Sequence, residues 1–371
     1  MQYVWQYKDW PNFRWDNNRL IKALGNTRFY QGKLLSKVNA LGIEINRETQ
    51  AKILTEEAVK TSAIEGEILD RDSVRSSVAR RLGLPTAGLP PINRHADGLI
   101  EVLLDATSGY DKPLTAHRLK AWQSALFPTG YSGMRKIRTG EWRGSEPMQV
   151  VSGPIGREKI HYEAPPVERL EDEMKQFIAW WHEGSVQIEG ILRAGISHFY
   201  FVSIHPFEDG NGRIARALTD MALARDEELT IRFYSLSSQI MLERDEYYKI
   251  LEHSQSGNGD ITKWLLWFLG CLGRAIKNSG ALVAGVTAKA IFWQKYGQMS
   301  LNRQQRKVIN RLLDAEPGGF EGGLTTRKYA NMTKVSRATA YREISDLVIK
   351  GILTANPGKG RSVSYRLTHV S

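Results

Sequence analysis

The spacing of apolar positions predicts helices along most of the chain. Over roughly the first 280 residues, apolar side chains recur three and four positions apart, as at Leu34, Val38 and Leu41. The stretch ETQAKILTEEAVKTSAIEGEIL continues this period, and the Pro/Gly-rich segment LGLPTAGLPPIN interrupts it. The pattern therefore predicts a mainly α fold.

One internal segment departs from the helical period. In MQVVSGPIGREKIHYEAPP, short β-prone pieces flank a Gly/Pro turn, which predicts a β-hairpin. The stretches that follow it, VERLEDEMKQFIAWWHEG and IEGILRAGISHFYFVSIHPF, return to the helical period and are apolar enough to lie in the core.

The last part of the chain has a different pattern. NRQQRKVINRLLD predicts an amphipathic helix, TTRKYANMTKVSRATAYREISDLVIKGIL predicts helix, turn and helix, and TANPGKGRSVSYRL predicts a two-stranded wing. Ala340, Ile344, Leu347 and Val348 share one face of the second helix. This order predicts a winged helix-turn-helix domain.

Length and composition indicate how many domains the chain has and which class of protein it belongs to. At 371 residues it exceeds one ordinary domain, and we expect a helical region over 1–110, a core over 111–285, and a linker helix with the winged helix over 286–371. The start lacks a signal-peptide layout, and the most apolar run, WLLWFLGCLG, is too short for a bilayer. A single cysteine, Cys271, excludes an internal disulfide, so we expect a cytoplasmic protein with no membrane segment.

Positive charge is concentrated in the tail. Residues 301–371 hold 13 Lys and Arg against 5 Asp and Glu, which is +8 of the net +11. With the wing and helix pattern, this charge favours duplex DNA as a partner, although winged helices also serve as protein-docking or dimer modules. The candidate DNA contacts are Arg337, Thr339, Arg342, Lys359 and Arg361.

The strongest chemical signal is HPFEDGNGRIAR, residues 205–216. A helix ends before it and a new one begins inside it, which places Gly210, Asn211 and Gly212 at a helix N-terminus, where backbone N–H groups attract an anion. Arg213 and Arg216 share a face and can bind phosphate oxygens.

Two further residues of this stretch suit phosphate chemistry. Asp209 is an oxygen ligand suited to Mg²⁺, which bridges phosphates with few protein ligands. His205 can take a proton from an attacking hydroxyl. The set predicts nucleotide-dependent transfer onto a hydroxyl.

These residues carry a family resemblance. HPFEDGNGRIAR resembles the Fic-domain motif HPFx(D/E)GNGRxxR at all nine specified positions. Most Fic proteins transfer AMP from ATP to a target hydroxyl. The resemblance implies His205 as base, Asp209 as metal ligand, Gly210, Asn211 and Gly212 around the α-phosphate, and Arg213 and Arg216 on the outer phosphates.

Upstream, TSAIEG resembles the inhibitory motif of the family, (S/T)xxxE(G/N), with Thr61, Glu65 and Gly66 at its specified positions. Thr61 and Glu65 lie on one helix face. A Glu65 carboxylate paired with Arg216 would occupy the arginine that the γ-phosphate needs, so the resemblance implies self-inhibition. In some relatives this glutamate also positions a water that removes AMP.

Two weaker resemblances complete the site. The predicted hairpin stands where the family keeps a flap that aligns the target, which selects Ile160, His161 and Tyr162, although an ordinary surface hairpin has the same pattern. ERDEYYKILEHSQ resembles the adenine-side helix, with Tyr247, Tyr248 and Gln255 as base contacts. Gln255 stands where some relatives carry asparagine, and the two tyrosines also fit a plain core role.

The sequence thus supports a self-inhibited protein adenylyltransferase that uses ATP and Mg²⁺ and acts on an unidentified protein, itself included. One alternative is a DNA-binding regulator whose Fic core senses nucleotide. Another is the same chemistry with a different donor, such as UTP or a phosphocholine conjugate. A homodimer is implied by resemblance alone.

Overall fold

A computed structural model describes residues 2–39, 43–86, 88–153, 157, 159–313, 315, 320–357 and 363–368, and for 43–46 the backbone alone is described. The chain divides into two compact units. Unit 1 comprises residues 1–39 and 50–279, and unit 2 comprises residues 40–49 and 280–371. The predicted boundary at 285 falls inside one long helix, Thr262–Tyr296.

Helices dominate the described residues, in agreement with the mainly α prediction. In chain order they are α1 (Asn17–Asn39), α2 (Ile43–Ile64), α3 (Arg71–Arg81), α4 (Arg94–Ser108), α5 (Ala116–Leu126), α6 (Val167–Ala179), α7 (Gly190–Ile204), α8 (Asn211–Glu227), α9 (Leu236–Leu242), α10 (Arg244–Gln255), α11 (Thr262–Tyr296), α12 (Arg303–Leu313), α13 (Thr326–Thr333) and α14 (Arg337–Ile349). A 3-10 turn covers Val4–Gln6, and a π-helical turn, Trp180–Gly184, extends α6.

The described strands form three antiparallel hairpins. They are β1 (Tyr131–Ser132) with β2 (Arg135–Lys136), β3 (Gln149–Ser152) with β4 (Lys159–Glu163), and β5 (Leu353–Ala355) with β6 (Tyr365–Leu367). The hairpin predicted from MQVVSGPIGREKIHYEAPP is confirmed as β3 and β4, with a register shift between Val150 and Val151. The short β1–β2 hairpin has no counterpart in the sequence pattern.

Helices α7 and α8 form the centre of unit 1. Every residue of α7 from Ile191 to Ile204 is buried, and most of these residues are apolar. At Gly195 an added Cβ would lie 2.8 Å from the Phe268 ring, and the Trp264 indole donates to the Gly195 carbonyl at 2.8 Å. This close approach to α11 fixes α7 and the loop that follows it.

A buried glutamate fixes α2 in unit 1. Glu57 accepts hydrogen bonds from Ser235 Oγ at 2.7 Å, from the Ser237 backbone N–H at 3.1 Å and from the Ser237 hydroxyl. Thr61 lies one helical turn further along the same face. The fixed Glu57 therefore positions the last turn of α2.

Unit 2 packs α12, α13 and α14 with the β5–β6 hairpin around its own core, which includes Ile309, Tyr329 and Ile352. Ala340, Ile344 and Leu347 face this core as expected, whereas Val348 is exposed at 38%. The winged helix-turn-helix stays a prediction for this arrangement. None of the described helices combines the length and apolar character that a bilayer crossing requires.

Candidate nucleotide-transfer site

The loop after α7 sets His205 in a defined tautomer. His205 is the C-cap residue of α7 and adopts left-handed backbone geometry at φ 53°. Its Nδ1 lies 3.1 Å from the Val202 carbonyl oxygen, an acceptor, so Nδ1 carries the proton and Nε2 keeps its lone pair. Burial lowers the pKa of His205 below its ordinary 6.5. The ring is therefore neutral and basic at Nε2 near pH 7.

Arg143 holds this loop, a role that no sequence pattern indicates. Its Nε donates to the His205 carbonyl at 3.0 Å, its Nη2 donates to the Pro165 carbonyl, and its backbone N–H donates to the Pro206 carbonyl at 2.9 Å. Burial lowers the pKa of Arg143, although the guanidinium remains charged. Arg143 thus ties His205 to the segment that follows β4.

Asn211 closes the loop internally. Its Oδ1 accepts from the Phe207 N–H at 3.0 Å, and its Nδ2 donates to the Phe207 carbonyl at 2.8 Å, while the Phe207 ring is fully buried. The Asn211 side chain is therefore used in shaping the loop. Its backbone N–H lies on the first turn of α8, where N–H groups lack intrahelical partners.

A carboxylate lies at the start of α8. Gly210 has φ 91°, and Gly212 packs so closely that an added Cβ would be 2.1 Å from Glu65 Oε1. Glu65 is thus in direct contact with the glycine turn, at the end of the helix that attracts anions. The space that the sequence assigns to a phosphate contains this acidic group.

Arg216 is the fixed partner of that carboxylate. Its Nη2 donates to Glu65 Oε1 at 2.7 Å and to the Thr61 carbonyl at 2.9 Å, and its Nε donates to Thr61 Oγ1 at 2.6 Å. The Arg216 side chain is 1% exposed and that of Glu65 30%. Burial alone would lower the pKa of Arg216, but the charge and hydrogen bond of Glu65 together with the nearby Tyr247 and Tyr248 raise it overall.

The turn that ends α2 directs two acidic side chains at α8. The N–H groups of Glu65 and Glu67 donate to the Ser62 carbonyl at 3.1 and 3.0 Å, and Gly66 has φ 84°. This is the left-handed helix end that glycine favours. Glu67 lies just beyond it, and Arg213 Nη1 donates to its Oε2 at 2.7 Å.

Asp209, the predicted metal ligand, is a partly exposed carboxylate beside the start of α8. Its Oδ2 accepts from the Ser132 hydroxyl on β1, its Oδ1 lies 3.9 Å from Arg213 Nη2, and the side chain is 39% exposed. Among the described residues there is no group of three or more His, Cys, Asp or Glu that could hold an ion. One accessible carboxylate beside the predicted phosphate site fits Mg²⁺, which takes most of its remaining ligands from phosphates and water.

The three residues predicted to contact the nucleotide base form hydrogen bonds with other protein groups. Tyr247 is buried and its hydroxyl lies 2.9 Å from His198 Nε2, while burial lowers the pKa of His198 to about 3. Tyr248 donates to the Ile64 carbonyl at 3.2 Å, and Gln255 Nε2 donates to Ser203 Oγ at 3.3 Å. Tyr248 therefore contacts the end of α2, whereas Tyr247 and Gln255 belong to the core side of α10.

The predicted flap residues differ in exposure. Ile160 is exposed at 46%, His161 is half-buried, and Tyr162 is buried with its hydroxyl donating to the Ser203 carbonyl at 2.6 Å. His161 Nδ1 lies 2.8 Å from Glu252 Oε2 on α10. Tyr162 and Gln255 thus meet at Ser203, two residues before His205.

The predicted DNA contacts lie in unit 2. Arg337 and Arg342 are exposed on α14, and the Thr339 backbone N–H donates to Ser336 Oγ at the start of that helix. Tyr341, which no sequence pattern indicates, is 62% exposed between them. Lys359 and Arg361 lie outside the described residues.

Residues 113–223 match the Fic/DOC family. The matched segment includes His205–Arg216 and the β3–β4 hairpin. Residues 3–84, which include Glu65 and Glu67, match a domain of unknown function (DUF4172).

Curated relatives are similar to part of the chain. A protein adenylyltransferase Fic from Nematostella vectensis is 36% identical over 115 residues, which is 30% of this chain and 25% of that protein. A uridine 5'-monophosphate transferase from Xanthomonas campestris is 41% identical over 69 residues, which is 16% of this chain and 12% of that protein. The chain thus spans a quarter or less of these relatives.

A solved structure extends the likeness in fold. A Fic family protein from Desulfovibrio desulfuricans superposes with a TM-score of 0.56, covering 96% of this chain and 98% of that one at 18% identity. At this identity the likeness concerns the fold alone.

The hydroxyl of Thr61 provides a test of how strongly the end of α2 holds Arg216. Thr61→Val keeps the shape but leaves the buried Arg216 Nε without an acceptor, so we expect the free energy of unfolding to fall by about 2–3 kcal/mol. Thr55→Val is the matched control, because the Thr55 hydroxyl donates only to the Ala51 carbonyl of the same helix. Guanidinium unfolding measures both variants, and equal losses would contradict the assignment.

Proposed function

We propose that the chain is a self-inhibited nucleotidyltransferase that transfers AMP from ATP to a hydroxyl of a target protein, itself included. One observation carries the proposal. A histidine with a free Nε2 lies in the loop that leads to a helix N-terminus bearing two arginines, and a carboxylate from α2 occupies that N-terminus. The names of the curated relatives support the same class of reaction.

The reaction follows from the residues of the loop. The acceptor hydroxyl gives its proton to His205 Nε2, and its oxygen attacks the α-phosphorus of ATP. The bond from that phosphorus to the bridging oxygen of the β-phosphate breaks, and pyrophosphate leaves. Backbone N–H groups at the start of α8 stabilise the charge on the α-phosphate, and Arg213 and Arg216 bind the outer phosphates.

Asp209 would hold Mg²⁺ in this scheme. When bound, the ion neutralises charge on the leaving phosphates. The Ser132 hydroxyl, which donates to Asp209 Oδ2, orients the carboxylate for that role.

Inhibition follows from competition for one buried cation. Arg216 is already paired with Glu65, so the γ-phosphate must displace that carboxylate to bind. Glu65 is 30% exposed and can rotate towards solvent, whereas Arg216 is buried and fixed by Thr61. The resting state therefore favours ATP bound in an unproductive arrangement. The same Glu65 could position a water for AMP removal, as the sequence resemblance implies.

Labelled-nucleotide transfer tests the base, the inhibitor and the donor together. Wild type, Glu65→Gly and His205→Ala are incubated with Mg²⁺ and α-labelled ATP or UTP. We expect Glu65→Gly to raise protein labelling about 10- to 100-fold, the range set by one hydrogen bond to a charged group. His205→Ala in the Glu65→Gly background should lower it about 100-fold or more.

The UTP arm matters because the Xanthomonas relative is named a uridine 5'-monophosphate transferase. If UTP labels the protein more strongly than ATP does, the donor is a uridine nucleotide. Equal labelling with and without His205 would refute the mechanism.

The neutral form of His205 sets a pH dependence. Burial already lowers its pKa below 6.5, and the Glu65 charge acts in the opposite direction. In Glu65→Gly the pKa should therefore fall further, so that kcat/KM stays constant from pH 8 through 6.5 and declines only below it. The pH profile of that variant measures this directly, and a decline that begins above pH 7 would exclude His205 as the base.

Unit 2 supports a second candidate function, duplex DNA binding, with the Fic/DOC domain sensing nucleotide. The observation in its favour is that Arg337, Tyr341 and Arg342 are exposed on one helix of the basic tail.

Gel shifts of the full chain test this candidate at about 50 mM and about 200 mM salt. We expect binding that weakens with salt, and an Arg337→Ala/Arg342→Ala variant that binds roughly tenfold more weakly. Arg19→Ala, an exposed arginine of unit 1, is the control. Absence of binding, or binding that ignores salt, would remove DNA as the partner.

A further inference from the structure

Arg213 is paired as closely as Arg216, but with a different acid. Its Nη1 donates to Glu67 Oε2 at 2.7 Å, and the side chain is 7% exposed. The Phe127 ring covers its guanidinium at 4.8 Å. Asp209 Oδ1, at 3.9 Å from Nη2, is too distant for a hydrogen bond. Glu67 is therefore the close anionic partner of this buried arginine in the part of the chain that the structure describes.

The Arg213 guanidinium retains unused donor capacity. Its Nε is buried and has no hydrogen-bond partner among the described residues, and the same holds for Nη1 of Arg216. A buried charged donor without an acceptor costs free energy, and a phosphate with several oxygens would supply the missing acceptors. Both arginines are thus held by acids in the resting state but not saturated by them.

The turn itself does not need the Arg213–Glu67 pair. Backbone hydrogen bonds from Glu65, Gly66 and Glu67 close it, and Gly66 supplies the left-handed residue. Glu67 is 38% exposed and can rotate into solvent without breaking these bonds. A pair that the turn can lose without unfolding is suited to exchange with a ligand.

We infer that Glu67 is a second blocking carboxylate, which occupies Arg213 while Glu65 occupies Arg216. This rests on the proposed function, in which both arginines bind the outer phosphates of ATP. Those phosphates must then displace two acidic side chains, one on each side of Gly66. Removing Glu65 alone leaves Arg213 occupied, so the Glu65→Gly variant is only partly released.

Nucleotide affinities distinguish a Glu67 that blocks Arg213 from a Glu67 that only stabilises the turn. Dissociation constants for ATP and for AMP, each with Mg²⁺, are measured by calorimetry on wild type, Glu65→Gly, Glu67→Gln and the double variant. AMP lacks the outer phosphates. We expect Glu67→Gln to tighten ATP about fivefold and to leave AMP unchanged, and to raise labelling by α-labelled ATP further in the Glu65→Gly background.

Glu56→Gln is the matched control. Glu56 also pairs with an arginine beyond the turn, Arg71, and so joins α2 to α3 without contacting Arg213 or Arg216. It should leave both affinities unchanged. Glu67→Ala is measured in parallel, and thermal unfolding establishes that each variant is folded.

Three results would overturn the inference. If Glu67→Gln and Glu67→Ala bind ATP as wild type does while Glu65→Gly labels protein strongly, Glu67 is structural and the proposed function stands. If Glu67→Gln tightens ATP and AMP equally, or Glu56→Gln matches it, the effect is loosening of the turn. If no variant binds ATP, the proposed function fails together with the inference.

Discussion

The site depends on a buried arginine that must always have an anionic partner. Arg216 lies on the buried helix α8, where an unpaired charge would cost several kcal/mol. Thr61 provides two neutral acceptors, and Glu65 provides the charge. Any ligand that removes Glu65 must replace it with another anion. Arg216 therefore binds either the internal carboxylate of Glu65 or a phosphate.

The end of α2 places that internal carboxylate beside α8. Glu57 fixes the helix through Ser235 and Ser237, Thr61 holds Arg216, and the turn at Gly66 brings Glu65 and Glu67 to the same stretch of α8. Arg213 and Arg216 are one helical turn apart, so two acids separated by one glycine can reach both. On the other side of the loop, Arg143 and the Asn211 amide hold the backbone that carries His205.

The sequence was informative where the chemistry is local and less so where it depends on packing. The resemblance of TSAIEG and HPFEDGNGRIAR to the Fic motifs implied that Glu65 pairs with Arg216, and the two side chains are in contact at 2.7 Å. The contact between Glu67 and Arg213 joins residues 146 positions apart, and Ser132 and Arg143 reach the loop from other elements, so no local pattern indicates them. The sequence of β4 does not indicate that Tyr162 is buried. Its burial depends on packing against α7, where its hydroxyl donates to the Ser203 carbonyl.

The most direct test of the account is the identity of the Arg216 partner when nucleotide is bound. Crystal structures of wild type and Glu65→Gly with Mg²⁺ and a non-hydrolysable ATP analogue would show it. We expect that Arg216 stays on Glu65 in wild type, with the γ-phosphate displaced, and that it binds a γ-phosphate oxygen in Glu65→Gly. The same phosphate position in both proteins, with Arg216 bound to Glu65 and the γ-phosphate together in wild type, would contradict it.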